Sequence, residues 1–527
     1  MISFLKKQRL AARGMSCGKK RLATPAGDVF SGLDESLYIY IGIVLAAAGV
    51  LAFFCFASDQ SDPLMHLLYA LLVLALALTQ PIISGDPSLK RNSRLALFLG
   101  TMLVQVGFGE LVKSQIHAGH LEVQFLPLIL PYAFAPLMLS VLLGAEMGFS
   151  ACIIGSLWGS VLQQTLDPMP LLLSLTGGVV AVLSTLRVRR RSRLLRAGFY
   201  SATALWFVAL LSGVIGPINW LLLMQTDWWE ITLQSLAVLG TGTITAVVVS
   251  GSLPLLEKAF RITTEISLLE MADLNHPLLR RLSMEAPGTY HHSLAMANLA
   301  EACAEKVGAN PTLCRVSAYF HDIGKLVKPD YFVENIPIGE NPHDDLTPTM
   351  SALIILSHVK DGVDLGLRNK LNRRIIEAIQ QHHGTTLVEF FYQRACRQEQ
   401  DARAGGNLMK IRQEDIPKVS EENFRYPGPK PQSVEAVILG LADAAESATR
   451  SLERPTLQRL DDLVHDLLQD RITDGQYDEA PVTMAQLQDI ATTLVSCLAS
   501  MHHARIAYRP RATKEKETPL SLGANPG

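Results

Sequence analysis

The chain has 527 residues and a formal net charge of −2, long enough for more than one domain. Near-neutrality excludes a global polyelectrolyte attraction, so no nucleic-acid polymer is expected as a partner. Seven cysteines (Cys17, Cys55, Cys152, Cys303, Cys314, Cys396 and Cys497) form no CxxC pair and no even framework, which argues against thiolate zinc and a disulfide scaffold.

Residues 1–35 form a basic N-terminal tail with Lys6, Lys7, Arg9, Arg13, Lys19, Lys20 and Arg21. Residues 36–256 are almost continuously apolar. A spanning helix needs ~20 mostly apolar residues. Eight are predicted, near 36–57, 64–84, 95–112, 124–144, 147–164, 168–186, 197–217 and 230–253. The third carries Gln105 and Glu110 and is the least uniform.

Positive charge orients such a bundle. The tail, the loop with Lys90, Arg91 and Arg94, and the loop with Arg187, Arg189, Arg190, Arg191, Arg193 and Arg196 fall on one side if the spans alternate. The opposite loops hold only Lys113, with Trp220, Trp228 and Trp229 near that outer face. The expectation is a multi-pass membrane protein whose C-terminal half lies in the cytoplasm. Ionisable residues within the spans are few, which favours an anchor or sensor over a transporter. The Arg-rich loop suits either contact with anionic lipid or a plain topology signal.

Residues 257–275 read as a helical linker, and helical patterns dominate a domain over 276–505 with no strand-like alternation. The fold class is therefore all-α: a polytopic membrane domain followed by an all-α soluble domain. Arg394–Glu422 is polar and reads as an insertion. Tyr426-Pro427-Gly428-Pro429-Lys430-Pro431 must be a loop, and residues 506–527 read as a disordered tail.

The soluble half carries the chemistry. His291-His292, His321-Asp322, His358, His382-His383 and Asp443 each fall on helical stretches beside apolar stripes. Imidazole and carboxylate together suit Fe or Mn better than Mg. Eight such groups exceed one ion's needs, so two divalent ions are expected, and with them phosphoester hydrolysis. The stripe Met296, Leu299, Cys303, Val307 extends back to His292, which makes His292 the better ligand candidate. His291 falls on a more polar face, where it would support a ligand or meet substrate. Neighbouring ligands on a helix point about 100° apart, so Asp322, with two carboxylate oxygens, is the natural bridge between the ions.

At His321-Asp322-Ile323-Gly324 the sequence resembles the HD superfamily of metal-dependent phosphohydrolases. Pro287-Gly288-Thr289-Tyr290-His291-His292-Ser293, Asn341-Pro342-His343-Asp344, His382-His383-Gly384-Thr385 and Phe424-Arg425 through Pro431 narrow the resemblance to the seven-transmembrane receptor type with an intracellular HD domain. That family usually carries a large extracytoplasmic domain after its first span; here only five residues separate Ala57 from Pro63.

The resemblance implies a cyclic di-AMP phosphodiesterase giving linear pApA. It implies His292, His321, Asp322 and Asp443 around one metal, and Asp322, His358, His382 and His383 around the other. Lys325 would stabilise phosphoryl charge or serve as a surface charge at a helix end. Arg425 and Tyr426 would meet the nucleotide, while Phe390, Phe391 and Tyr392 read as core. Another nucleotide (cyclic di-GMP or a guanosine polyphosphate) and a non-catalytic nucleotide receptor are the competing readings. The Gly-Thr-Thr after the His pair argues against cyclic di-GMP. A homo-oligomer is left open.

Overall fold

In the computed structural model, residues 34, 36–57, 62–83, 91–163, 168–186, 188, 190–216, 227–336, 341–409, 418–452 and 455–503 are described. The basic tail, Lys90, Arg187, Arg189, Trp220 and the segment 506–527 lie outside them. The described residues are helical, with one isolated bridge between Leu387 and Arg425 and no strand. They divide into two compact units, residues 1–273 and 274–527.

The first unit contains α1 (Leu37–Ala57), α2 (Pro63–Ile83), α3 (Asn92–His117), α4 (Leu126–Ile129), α5 (Phe134–Leu143), α6 (Ala145–Gln163), α7 (Pro168–Thr185), α8 (Arg191–Leu211), α9 (Trp228–Phe260) and α10 (Glu265–Met271). Among the described residues, eight stretches are long and apolar enough to cross a membrane, with α4 and α5 sharing one of them, Val123–Leu143. Their outward faces keep apolar side chains such as Leu72, Leu236 and Ile244 at 69%, 61% and 64% exposure, as a lipid-facing surface requires.

Small residues let α8 and α9 approach closely. A Cβ on Gly198 would lie 2.3 Å from the Ala246 Cβ, and one on Gly242 would lie 2.4 Å from the Ala202 Cβ. Buried hydroxyls and an indole join other helices. Ser140 meets Thr185 at 2.8 Å, Ser156 meets Ser174 at 2.8 Å, and Trp158 Nε1 donates to the Ala70 carbonyl at 3.0 Å.

Two sequence expectations change here. The fourth span is not one helix: it breaks over Leu130–Ala133, between α4 and α5. Pro127, Pro131 and Pro136 cluster around the break, and each removes a backbone donor. The link after the last span is likewise two helices. Arg261 turns left-handed at φ 53°, and Thr264 caps α10 reciprocally with Ser267.

The second unit contains α11 (Pro277–Glu285), α12 (Pro287–Val307), α13 (Pro311–Phe320), a 3₁₀ turn (Ile323–Val327), α14 (Pro348–Arg368), α15 (Arg373–Gln381), α16 (Glu389–Met409), α17 (Val434–Thr449), α18 (Leu457–Thr473) and α19 (Met484–His503). The helix starts are written locally. Asn310, Thr347, Asn372 and Ser433 each accept a backbone N–H of the helix they precede, and proline opens α11 to α14. Helix α12 packs on α13, α17 and α19. Leu299, Phe320, Ile379, Leu439 and Leu494 are buried in this unit, each contributing ~1.5–3 kcal/mol. The expected insertion begins as the body of α16; residues 410–417 lie outside the described ones.

Candidate metal centre

Five segments converge on one buried point. His292 comes from the second turn of α12, His321 and Asp322 from the end of α13, His358 from α14, His382 and His383 from the end of α15, and Asp443 from α17. Close packing sets these distances. A Cβ on Gly324 would lie 1.8 Å from the His358 carbonyl oxygen, and one on Gly440 would lie 2.4 Å from that of His382. Only glycine lets those backbones approach.

Two groups of potential ligand atoms result: His292, His321, Asp322 and Asp443; and Asp322, His358, His382 and His383. Within each, all the ligand atoms lie within 4.8 Å of one another. Asp322 belongs to both and divides its oxygens between them. Oδ1 lies 3.3 Å from His358 Nε2 and 3.8 Å from His382 Nε2. Oδ2 lies 3.1 Å from His321 Nε2 and 4.0 Å from His292 Nε2.

The backbone fixes three imidazoles identically. Nδ1 donates to the carbonyl three residues earlier: His321 to Ala318 at 2.8 Å, His358 to Ile355 at 2.6 Å, and His382 to Ile379 at 2.8 Å. Each Nε2 is then the lone-pair nitrogen, turned to the centre. His383 faces the centre with Nδ1, 3.6 Å from Asp443 Oδ2, and its ring stacks on Tyr426 at 4.2 Å.

The charge states suit metal ligation. Burial pushes His382 down to about 3, with His321 beside it lowering it further. Burial likewise lowers His358 and holds His383 well below its usual value. Against burial, His321 and the charge of Lys325 beside it hold Asp322 well below the usual carboxylate range, and a His292 hydrogen bond does the same for Asp443. Burial would lower His292 too, but its bonds to Asp443 and Glu446 raise it to about 9. The buried His321 Nε2 and Asp322 Oδ1 have no hydrogen-bond partner. Neutral imidazoles at His358, His382 and His383, ionised carboxylates at Asp322 and Asp443, and two orphaned ligand atoms at one point are a donor set that could hold a metal ion.

His291 is exposed and lies in neither group. Lys325 is not a surface charge: its Nζ sits 2.8 Å from Asp322 Oδ2 and 2.7 Å from Glu334 Oε1. Arg425 is engaged by Glu421 and Asp474. Tyr426 is buried against His383. Phe391 is buried with Tyr392 packed beside it, while Phe390 is 69% exposed.

Two residues escaped the sequence reading. Glu446 accepts His292 Nδ1 at 2.5 Å and is itself held by Arg450 at 2.8 Å. Its signal was the i+3 spacing from Asp443, which places both on one helix face. Glu334, partner of both Lys325 and Thr289, carried no local signal.

Comparison with known proteins agrees with this architecture. The family model of the 7TM receptor with intracellular HD hydrolase matches residues 37–264, and the HD domain model matches 289–448. Two relatives share the name cyclic-di-AMP phosphodiesterase PgpH. The one from Bacillus subtilis (strain 168) is 36% identical over 394 residues, 73% of this chain and 52% of the relative. The one from Listeria monocytogenes serotype 1/2a (strain 10403S) is 35% identical over 460 residues, 85% and 60%. The chain thus spans just over half the length of these relatives. A crystal structure of the L. monocytogenes PgpH HD domain in complex with cyclic-di-AMP is 44% identical, covering 43% of this chain and 98% of that one, with a TM-score of 0.39.

Proposed function

Because this chain belongs to the family of 7TM receptors with an intracellular HD hydrolase, we propose that it is a membrane-anchored, metal-dependent phosphodiesterase opening cyclic di-AMP to linear pApA. The observation that carries this reading is the Asp322 carboxylate, with one oxygen in each ligand group. The names of the two relatives supply the substrate.

On this reading His292, His321, Asp322 and Asp443 hold one divalent ion, and Asp322, His358, His382 and His383 hold the other, with Fe or Mn favoured by the mixed donors. Such a pair supplies Lewis acidity for phosphoryl oxygens and acidifies a water near neutral pH. The reaction forms one bond from water oxygen to phosphorus and breaks one from phosphorus to the 3′ oxygen, which leaves with a proton.

The protein's own groups preorganise this chemistry. Lys325 pins one oxygen of Asp322 and is pinned in turn by Glu334, so the shared carboxylate cannot rotate freely. Three backbone carbonyls and Glu446 orient four imidazoles before anything binds. Tyr426 supports the ring of His383. The metal centre would face the cytoplasm of a bacterial cell, with the first unit in the inner membrane and in contact with its lipid; self-association is the remaining element of the reading.

The test incubates the purified full chain with cyclic di-AMP and cyclic di-GMP and measures bound metal. Release of pApA by wild type but not by Asp322→Asn is expected. Faster turnover of the guanine dinucleotide would replace the substrate assignment, and a metal-free, inert protein that still binds nucleotide would make the chain a receptor.

A further inference from the structure

We propose that the membrane-spanning unit carries a binding site for a small hydrogen-bond-donating solute, an amine or a polyol, in a cleft at the break of its fourth span. The cleft lies between α3, the Leu130–Tyr132 break, α6 and α7. Its polar wall is Gln105, Glu110, Tyr132, Ser156, Ser160 and Ser174.

Non-helical backbone inside a membrane is tolerated where it is buried in protein or lines a cavity. This break does both: Leu130 and Tyr132 line the cleft and are 5% and 7% exposed. Gln105 holds the break open by accepting the Ala135 N–H at 2.8 Å, at the start of α5. That bond takes up a donor that would otherwise welcome an anion.

The wall is rich in acceptors. Glu110 is its only formally charged side chain. Lys113 takes Glu110 Oε1 at 2.9 Å and turns its remaining reach to the Leu162 carbonyl. Glu110 Oε2 makes none of the described hydrogen bonds and can receive a donor. Ser160 gives its hydrogen to the Ser156 carbonyl at 3.0 Å, so it offers lone pairs to the cleft. The Tyr132 hydroxyl is buried with no partner. Leaving such a group unpaired is costly, and a bound solute with a donor and an acceptor would remove that cost. An ionisable residue within a span, a break in the helix and an orphaned phenol meeting in one cleft are the marks of a ligand site.

The experiment titrates the full chain in detergent with ethylammonium, glycerol or acetate and follows the thermal unfolding of the membrane unit. Ethylammonium or glycerol is expected to raise the melting temperature, and acetate is not. Tyr132→Phe should leave the unliganded protein at least as stable, because it deletes an unpaired hydroxyl. The same variant should weaken the response about tenfold, the loss of one hydrogen bond to a buried site. Glu110→Gln should abolish the ethylammonium response more than the glycerol response if the solute is an amine, and both equally if it is a polyol. No response to either probe, a response unchanged in Tyr132→Phe, or an equal response to acetate overturns the proposal.

Discussion

Glu446 holds His292 from behind: its Oε2 lies 2.5 Å from Nδ1, while Nε2 on the far side of the ring lies 3.0 Å from Asp443. The carboxylate fixes which nitrogen faces the centre, as supporting carboxylates do for metal-bound histidines. Glu446→Gln should keep the fold and reduce metal affinity roughly 10–100-fold. Competition with a chelator measures this; affinity equal to wild type would mean that Glu446 is a structural partner alone.

Asp322 is the shared residue, and His358 belongs to one group only. Asp322→Ala should therefore empty both sites, whereas His358→Ala should leave about one ion per chain. Elemental analysis of the purified variants decides between them. Equal losses in both would show that the two sites fill as one.

Lys325 and Glu334 form a buried pair beside Asp322, each about 15% exposed at the side chain. Removing one charge strands the other, at a cost of about 3–5 kcal/mol for fully buried pairs and less here. Lys325→Met and Glu334→Gln should each lower the melting temperature, and the double variant should lose less than their sum. Strict additivity would show that the pair is not coupled.

Gly324→Ala places a methyl group 1.8 Å from the His358 carbonyl oxygen, closer than any real contact. Helix α14 must retreat, carrying His358 from Asp322. A loss of about 1–3 kcal/mol and a weakened second site are expected. Thermal unfolding with and without metal tests this, and unchanged binding would show that the turn has slack.

The metal-stripped chain should be most stable near pH 6.5. The folded His382, at about 3, lies below its free value, so the unfolded chain takes up the proton first as pH falls. Stability therefore drops from about pH 6.5 downward, and His358 and His383 add in the same direction. His292 works oppositely: raised to about 9, its contribution is complete below about 6.5 and lost as pH rises through 9. The acid limb should be the steeper, three imidazoles against one. Melting temperatures across pH 5–9 after chelation test the asymmetry, and a flat profile would refute it.

The sequence by itself determined the two-part, all-helical organisation, because an apolar run of membrane length and a helical stripe are properties of local order. It also placed His292 over His291 on the buried face, since helical phase is a local quantity, and the structure brings His292 alone of the two into a ligand group. Tertiary structure alone decided the partners. Glu334 reaches Lys325 and Thr289 across 9 and 45 residues, and Glu446 reaches His292 across 154. No periodicity encodes such distances. The break in the fourth span had a local signal in Pro127, Pro131 and Pro136, but its partner did not: Gln105 of a neighbouring helix takes the Ala135 N–H across 30 residues.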